Sequence, residues 1–497
     1  MINRNLVANY LNVGWVALMG FAFIPLYVKY LGVEAYGLIG LFVVLQVWLN
    51  LLDVGLSPTL SREMARFHGG SHDASSIRRL LRTVEVIAAC CMLLIIAGVG
   101  FSAPWLAEHW VNSSSLPADT VIHALRWMGL IGGLGFFEGI YRSAVIGLQR
   151  QVALSALTSS VATLKGLGAV ALVALVSPRI EVFFAWQAAC SLFMLLSLRT
   201  LVYATLPAPK ERPRFDWNAL KSIRTFAAGV FTTTLLATML TQSDKFILTG
   251  MLPLEEWGHY SLAVVSAGAL SLLYQPIYQV WLPKMSELVA ASRQHELTGF
   301  FHLGSQQVAV IIGSAAAVAI LNAHTLLYIW TGDWQLVDQF APIFCLLVTG
   351  NLLNALLAIP YGLQLANGWT SLGVRANALA VLVLIPALLL IVPTYRGIGA
   401  ASLWVALNLG YLLIGMHFMF SRLMVTEKWT WYRNDLLRPL LVSFLMAALL
   451  HWLVPIPDGR VAGLLVLMVM GAAVLAASAL ASPRVRAYLV DSFKRQA

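Results

Sequence analysis

The sequence predicts an all-α integral membrane protein of about fourteen transmembrane helices, built as two six-helix lobes in parallel repeat plus two C-terminal helices. Composition is the first observation behind this. Of 497 residues, 59% are apolar and only 11% charged, with a mean hydropathy of +0.79, whereas an ordinary soluble domain carries about 25% charged residues. The second is run length: the apolar stretches reach the roughly 20 residues that a bilayer-crossing helix needs, twice the ~10 residues of a transmembrane strand. The third is a short segment after residue 30 that recurs after residue 251. Together these exclude a soluble enzyme, a disordered tail and a collagen-like fibre, and they leave no room for a sizeable soluble domain.

In chain order the runs fall at 6–28, 36–58, 80–102, 121–147, 152–176, 182–206, 226–252, 260–282, 308–327, 340–365, 371–392, 398–420, 437–454 and 461–480. The first follows Asn3 and Arg4 as a signal sequence would. It is too long and lacks a convincing small-residue cleavage site, so it reads as a retained span. Basic residues then set orientation, because Lys and Arg near span ends favour the cytoplasm. With both termini inside, the inner loops and tails hold 25 of the 32 basic residues. The net charge of +10 is therefore a topology signal and not a nucleic-acid footprint. The four cysteines, Cys90, Cys91, Cys190 and Cys345, all sit in apolar stretches, so neither a disulfide framework nor a metal site is expected.

The sharpest break in composition is 206–221, where Pro207, Pro209 and Pro213 stand among Lys210, Glu211, Arg212 and Arg214. It reads as a cytoplasmic linker. The expected organisation is an N-terminal lobe at 1–205, the linker at 206–221, a second lobe at 222–421, and two additional helices with a tail at 422–497. Leu31-Gly-Val-Glu34-Ala-Tyr36-Gly37 matches Leu252-Pro-Leu-Glu255-Glu-Trp257-Gly258 at an offset of 221 throughout. With an even number of spans in each half, the repeats point the same way and relate by an axis along the membrane normal, a transporter architecture.

Function is carried by spans that break the all-apolar rule at helical spacing, since an unsatisfied polar group in hydrocarbon costs several kcal/mol. Asn5, Asn9 and Asn12 share a face of span one; Gln46, Asn50, Asp53 and Ser57 one of span two. Span five carries Ser155, Thr158, Ser159, Ala162, Lys165 and Gly166; span seven Thr234, Thr238, Thr241 and Lys245; span eight Ser271, Gln275 and Tyr278; span ten Asn351, Asn354 and Tyr361. These stripes are expected to converge on a polar interior. For single hydroxyls and amides the competing reading is helix-to-helix glue.

Charges weigh more, because an ionisable group at depth costs about 2.5–3.5 kcal/mol even on insertion scales. Lys165 is the sharpest case, with no acid within one turn of its own helix. Glu138 and Arg142 stand at i and i+4, where they can neutralise each other. Arg126 can snorkel outward, Asp244 and Lys245 share the outer third of span seven, and Asp53 can cap the helix of the loop that follows. Pro25, Pro276, Pro360 and Pro386 are expected to break spans one, eight, ten and eleven.

The beginning of the chain, with Asn9, Asn12, Pro25, Leu31-Gly-x-Glu34-x-Tyr36-Gly37 and Leu52-Asp53-x-Gly55-Leu56, resembles the polysaccharide transporter family of the MOP flippase superfamily. Gln242-Ser-Asp244-Lys245-Phe-Ile-Leu leading into Trp257-Gly258-x-Tyr260 resembles that family's seventh span. The resemblance is best over about residues 1–70 and 225–285. It implies a Wzx-type flippase that moves an undecaprenyl-diphosphate-linked oligosaccharide from the cytoplasmic to the periplasmic leaflet of the bacterial inner membrane. Lipids and other polysaccharide-assembly membrane proteins would be its partners, and a proton or sodium gradient its coupling ion. A diphosphate needs cations, for which Lys165, Arg142, Arg126 and Lys245 are the candidates, with Asn9, Asn12 and Asn50 lining the cavity. Glu138, Asp244 and Asp53 are then the candidate coupling acids. No phosphate-cradling G-x-x-x-x-G-K-[ST] loop occurs, so no nucleotide or other cofactor is expected.

Two rivals stand beside this reading. A MATE-type multidrug exporter would more often have twelve spans, and its cavity would favour acids over the Arg and Lys found here. A membrane glycan polymerase or ligase would need a substantial outer loop, and the longest here, about 103–120, holds only Glu108, His109 and Asp119 as ionisable groups.

Overall fold

The computed structural model describes residues 2–53, 55–68, 74–207, 215, 235, 238–239, 241–457 and 459–496. The chain forms two compact units, Met1–Gly258 and His259–Ala497. Among the described residues eleven helices are long and apolar enough to cross a membrane, or twelve when one pair bent by 42° counts as a single span. Most of the expected linker 206–221, and residues 226–234, 236–237 and 240 of the expected seventh span, fall outside the described residues.

The first unit begins with α1 (Ile2–Ala22) and α2 (Ile24–Leu31), separated at Phe23, with Pro25 in the first turn of α2. Proline fits there because its missing N–H is unpaired in a first turn anyway. Then come α3 (Val33–Asn50), α4 (Leu56–His68), α5 (Ala74–His109), α6 (Ala118–Gly147), α7 (Gln151–Leu175) and α8 (Ile180–Thr205). Residues 241–251 are helical (α9) and lead into α10 (Leu254–Gly268). One apolar cluster joins Leu60 and Met64 of α4, Leu81 and Val84 of α5, Ile140 and Ala144 of α6, and Leu198 and Val202 of α8. Lipid tails are as apolar as leucine, so close packing and polar contacts, not expulsion from water, hold such a bundle.

The two matched segments meet. A Cβ added to Gly37 would lie 2.4 Å from the carbonyl oxygen of Leu254, and one added to Gly258 would lie 2.6 Å from that of Val33. Leu254 is Val33 plus 221 and Gly258 is Gly37 plus 221. Each glycine therefore packs on the carbonyl of the third residue of the other segment, a reciprocal contact of the kind a two-fold axis generates. Only glycine admits so close a backbone approach. Glu34, 7% exposed, fixes the neighbouring loop by accepting from the backbone N–H of Ser114 at 2.6 Å and of Ser115 at 3.0 Å, and from the Ser115 hydroxyl. Leu254 N–H donates in turn to the Asn112 carbonyl at 2.8 Å. The repeat seen in sequence thus marks a packing element.

The second unit continues through α11 (Ser271–Ala290), α12 (Gln294–Leu321), α13 (Ala323–Thr331), α14 (Trp334–Leu356) and α15 (Ala358–Ala366). It ends with α16 (Ser371–Gly410), α17 (Met416–Arg422), α18 (Lys428–Leu453), α19 (Arg460–Ala481) and α20 (Pro483–Gln496). Helix α12 is its centre, 67% of its apolar window being buried. The two additional helices are not loose appendages: Ala447 of α18 and Leu467, Met470 and Val474 of α19 form one core with Ala317 and Val318 of α12.

Three of the four expected proline breaks lie within six residues of a helix junction: α1 ends three residues before Pro25, α10 and α11 bend at 269–270 with Pro276 inside α11, and α14 gives way to α15 ahead of Pro360. Pro386 differs. The chain stays helical through it and turns instead at Arg396 (φ 51, ψ −138). Beyond that residue Gly399 packs on Ile391 and Tyr395, and the Tyr411 hydroxyl donates to Asn377 Oδ1 at 3.0 Å. In a straight helix those last two residues would stand about 50 Å apart, so α16 is two antiparallel arms.

Candidate functional site

Helix α7 presents two polar edges with different uses. Along one, Ser159 donates to Asn12 Oδ1 at 2.8 Å and Trp15 Nε1 donates to Thr163 Oγ1 at 2.8 Å. Gly166 admits the Phe23 ring, and the Tyr27 hydroxyl donates to the Gly166 carbonyl at 3.4 Å. These contacts bind α1 and α2 to α7. Asn12 therefore serves as glue at this edge, while Asn9 lies among the residues whose side chains are not described.

Lys165 points the other way. Its Nζ donates to Ser191 Oγ of α8 at 3.1 Å, and Ser191 is 2% exposed. Among the described residues no carboxylate lies within ion-pair distance of Lys165. Glu138 and Arg142 of α6 are near enough to act on it electrostatically. Those two form their own bridge, Arg142 Nη2 to Glu138 Oε1 at 2.6 Å, with side chains 38% and 12% exposed. Lys165 at the middle of α7 thus stands near Glu138 and Arg142 in the last third of α6, two cations and one acid that make a net positive site inside the first unit. A guanidinium and an ammonium with one balancing carboxylate can hold a phosphate group.

The other expected site residues are placed elsewhere. Arg126 is exposed and lies twelve residues before Glu138, about 18 Å along the same helix. Asn50 is exposed at the last position of α3. Asp53 accepts from Ser57 N–H at 3.0 Å and from its hydroxyl at 2.9 Å, ordering the start of α4. Asp244 and Lys245 pair with each other at 3.2 Å, and Lys245 Nζ also donates to the Thr241 carbonyl at 2.8 Å. The stripe of span ten is glue: Asn351 donates to the Ala267 carbonyl at 3.1 Å and accepts from Trp404 Nε1 at 3.0 Å, while Asn354 donates to Asn408 at 2.8 Å.

Sequence reasoning missed a polar centre in the second unit altogether. There His302, fully buried on α12, binds Asp435 through Nδ1 and Glu427 through Nε2, the latter at 3.0 Å. Gln306 donates to Asp435 Oδ1 at 2.8 Å and accepts from the Arg484 backbone N–H at 3.0 Å. Asp435 sits in a wide helical turn, Trp431–Leu437, of a kind often found where a helix carries a special side chain.

Comparison with known proteins agrees with the architecture. The family described as "Polysaccharide biosynthesis protein" matches residues 2–289, more than half of the chain. The chain belongs to that family. No curated protein matches it by sequence. Among solved structures it is similar to the lipid II flippase MurJ in an inward closed conformation, at 13% identity over 96% of this chain and 98% of that one, with a TM-score of 0.73. An inward-facing multidrug resistance MATE family transporter of the MOP superfamily aligns at 15% identity over 83% and 96% of the two chains, with a TM-score of 0.62. An outward-facing one aligns at 12% over 85% and 93%, with a TM-score of 0.52. The family member therefore has a multi-pass transporter fold.

Proposed function

We propose that this protein flips an undecaprenyl-diphosphate-linked oligosaccharide, an O-antigen or exopolysaccharide repeat unit, from the cytoplasmic to the periplasmic leaflet by ion-coupled alternating access. The observation that carries this reading is Lys165, a mid-helix cation whose partner is a serine hydroxyl and whose electrostatic neighbours are Glu138 and Arg142. A half-buried charge at mid-span with no ion-pair partner among the described residues is costly to keep, and an anionic substrate would repay that cost. Membership of a polysaccharide biosynthesis family supports the glycan part, and the transporter fold supports movement over catalysis.

In this mechanism the diphosphate bridges Lys165 and Arg142 while the polyprenyl tail stays in lipid. Glu138 already occupies Arg142, so phosphate and carboxylate compete for one guanidinium. Neutralising Glu138, by a proton or by sodium, releases Arg142 to the substrate and couples ion binding to substrate binding. The positive charge of the site disfavours cationic drugs. Arginine and lysine clustering in the loops read as internal supports a place in the bacterial inner membrane with both termini cytoplasmic.

Deleting the gene in its bacterial host tests the reading. Undecaprenyl-linked oligosaccharide is expected to accumulate on the inner face, with loss of the corresponding surface glycan. Unchanged surface glycan together with greater sensitivity to cationic dyes would contradict it and favour a multidrug exporter.

A further inference from the structure

Away from Lys165, helices α5, α6 and α8 enclose a slot of about 470 Å³. Its polar end is built around Glu85, 3% exposed, which accepts from the Tyr141 hydroxyl at 2.8 Å, the Tyr203 hydroxyl at 2.8 Å and Arg82 at 3.2 Å. Arg199, exposed, lies over the Tyr203 ring at 5.4 Å and lines the same end. From there the slot follows α5 to Leu93, eleven residues beyond Arg82, about 16 Å along the helix. Phe137, Leu195 and Leu196 form its apolar walls. Leu93 is 61% exposed and Leu196 49%, so the slot opens on the apolar surface of the first unit.

The charges lining the slot are Arg82, Arg199 and Glu85, a net of one positive. Glu85 already engages Arg82, which leaves the Arg199 guanidinium without a carboxylate among the described residues. That surplus matches the single negative charge of a phosphodiester. It stands at one end of the helices, near where Arg78 of α5 donates to the Leu206 carbonyl just past α8 at 2.8 Å, with an apolar trough leading inward. Arginine recognises phosphate oxygens with paired donors, and basic pockets between transmembrane helices suit acidic headgroups. We propose that this slot binds one anionic phospholipid, its phosphodiester held by Arg199 beside Arg82 and one acyl chain lying along Leu93, Phe137 and Leu196. A free phosphate would use the arginines but would have no need of the trough.

Cys90 lines the slot and its side chain is exposed, which makes it a built-in reporter. Full-length protein carrying Cys91→Ala would be placed in nanodiscs of phosphatidylcholine alone or with phosphatidylglycerol added, and Cys90 alkylation by an uncharged maleimide followed. Phosphatidylglycerol is expected to slow alkylation about fivefold, the effect of roughly one arginine on an acidic lipid. Arg199→Ala should remove the protection and Arg199→Lys should keep most of it, with Cys345 alkylation unchanged as the reference for intact fold. Equal rates in the two lipids, or protection that survives Arg199→Ala, would overturn the proposal. Protection by inorganic phosphate in phosphatidylcholine discs would replace the lipid with a free anion, and protection seen only in native membranes would replace it with a protein partner; either result overturns it.

Discussion

Lys165→Ala is expected to reduce transport of the lipid-linked oligosaccharide by about 10- to 100-fold, the range set by losing one charged hydrogen bond worth roughly 1.5–3 kcal/mol. Its effect on stability should have the opposite sign. Placing a lysine at mid-span costs about 2.5–3.5 kcal/mol on insertion scales, and here the partner is one serine hydroxyl at 3.1 Å. Removing the charge should leave the purified protein as stable as wild type or more so, because Ser191 can turn its hydroxyl to a carbonyl of its own helix. A lysine retained only to join α7 to α8 would behave the other way, with thermal stability falling while transport by the surviving protein stayed normal. Lys165→Arg should keep part of the activity. Thermal denaturation in detergent, measured beside cellular lipid-linked intermediates, separates these outcomes.

Asp435→Ala is expected to destabilise the second unit by about 3–5 kcal/mol, the usual result of removing one partner from a buried pair. Asp435 is 1% exposed and His302 is fully buried. Once the carboxylate is gone, His302 Nδ1 and Gln306 Nε2 both lose their acceptor. Glu427, with a side chain 28% exposed, turns to solvent more cheaply and should cost less when removed. Replacing both buried partners, His302→Leu with Asp435→Leu, should recover part of the loss, since the imidazole is removed together with its acceptor while Gln306 Nε2 still lacks one. A double-mutant cycle on thermal stability reads the coupling directly, and additive single effects would show that the pair does not act as a unit.

The sequence was most legible where one local signal decided the outcome. Run length alone located most of the spans, because the physical requirement is a count of apolar residues. The segment offset of 221 was visible because both copies keep a glycine where a backbone must approach, although their reciprocal packing was not visible. Polar stripes were harder. Ser159 and Lys165 sit on one predicted stripe, but Ser159 bonds to Asn12 and Lys165 faces Ser191, and spacing cannot distinguish a seam from a site. His302 and Asp435 escaped notice for a different reason. Asp435 lies among Lys428, Arg433 and Arg438, and His302 precedes the apolar run that starts near Val308, so hydropathy places both in water. Helix α12 begins at Gln294 and α18 at Lys428, well before their apolar stretches, and packing between these helices removes both residues from solvent. Partners 133 positions apart leave no local pattern.

The most direct measurement is transfer of an undecaprenyl-diphosphate-linked oligosaccharide across the bilayer of vesicles that contain the purified full-length protein, with an ion gradient imposed. The wild-type chain should speed transfer well above the rate of protein-free vesicles, and Lys165→Ala should lower that protein-dependent rate by about 10- to 100-fold. Transfer no faster than in protein-free vesicles, or a Lys165→Ala protein as fast as wild type, would contradict the account.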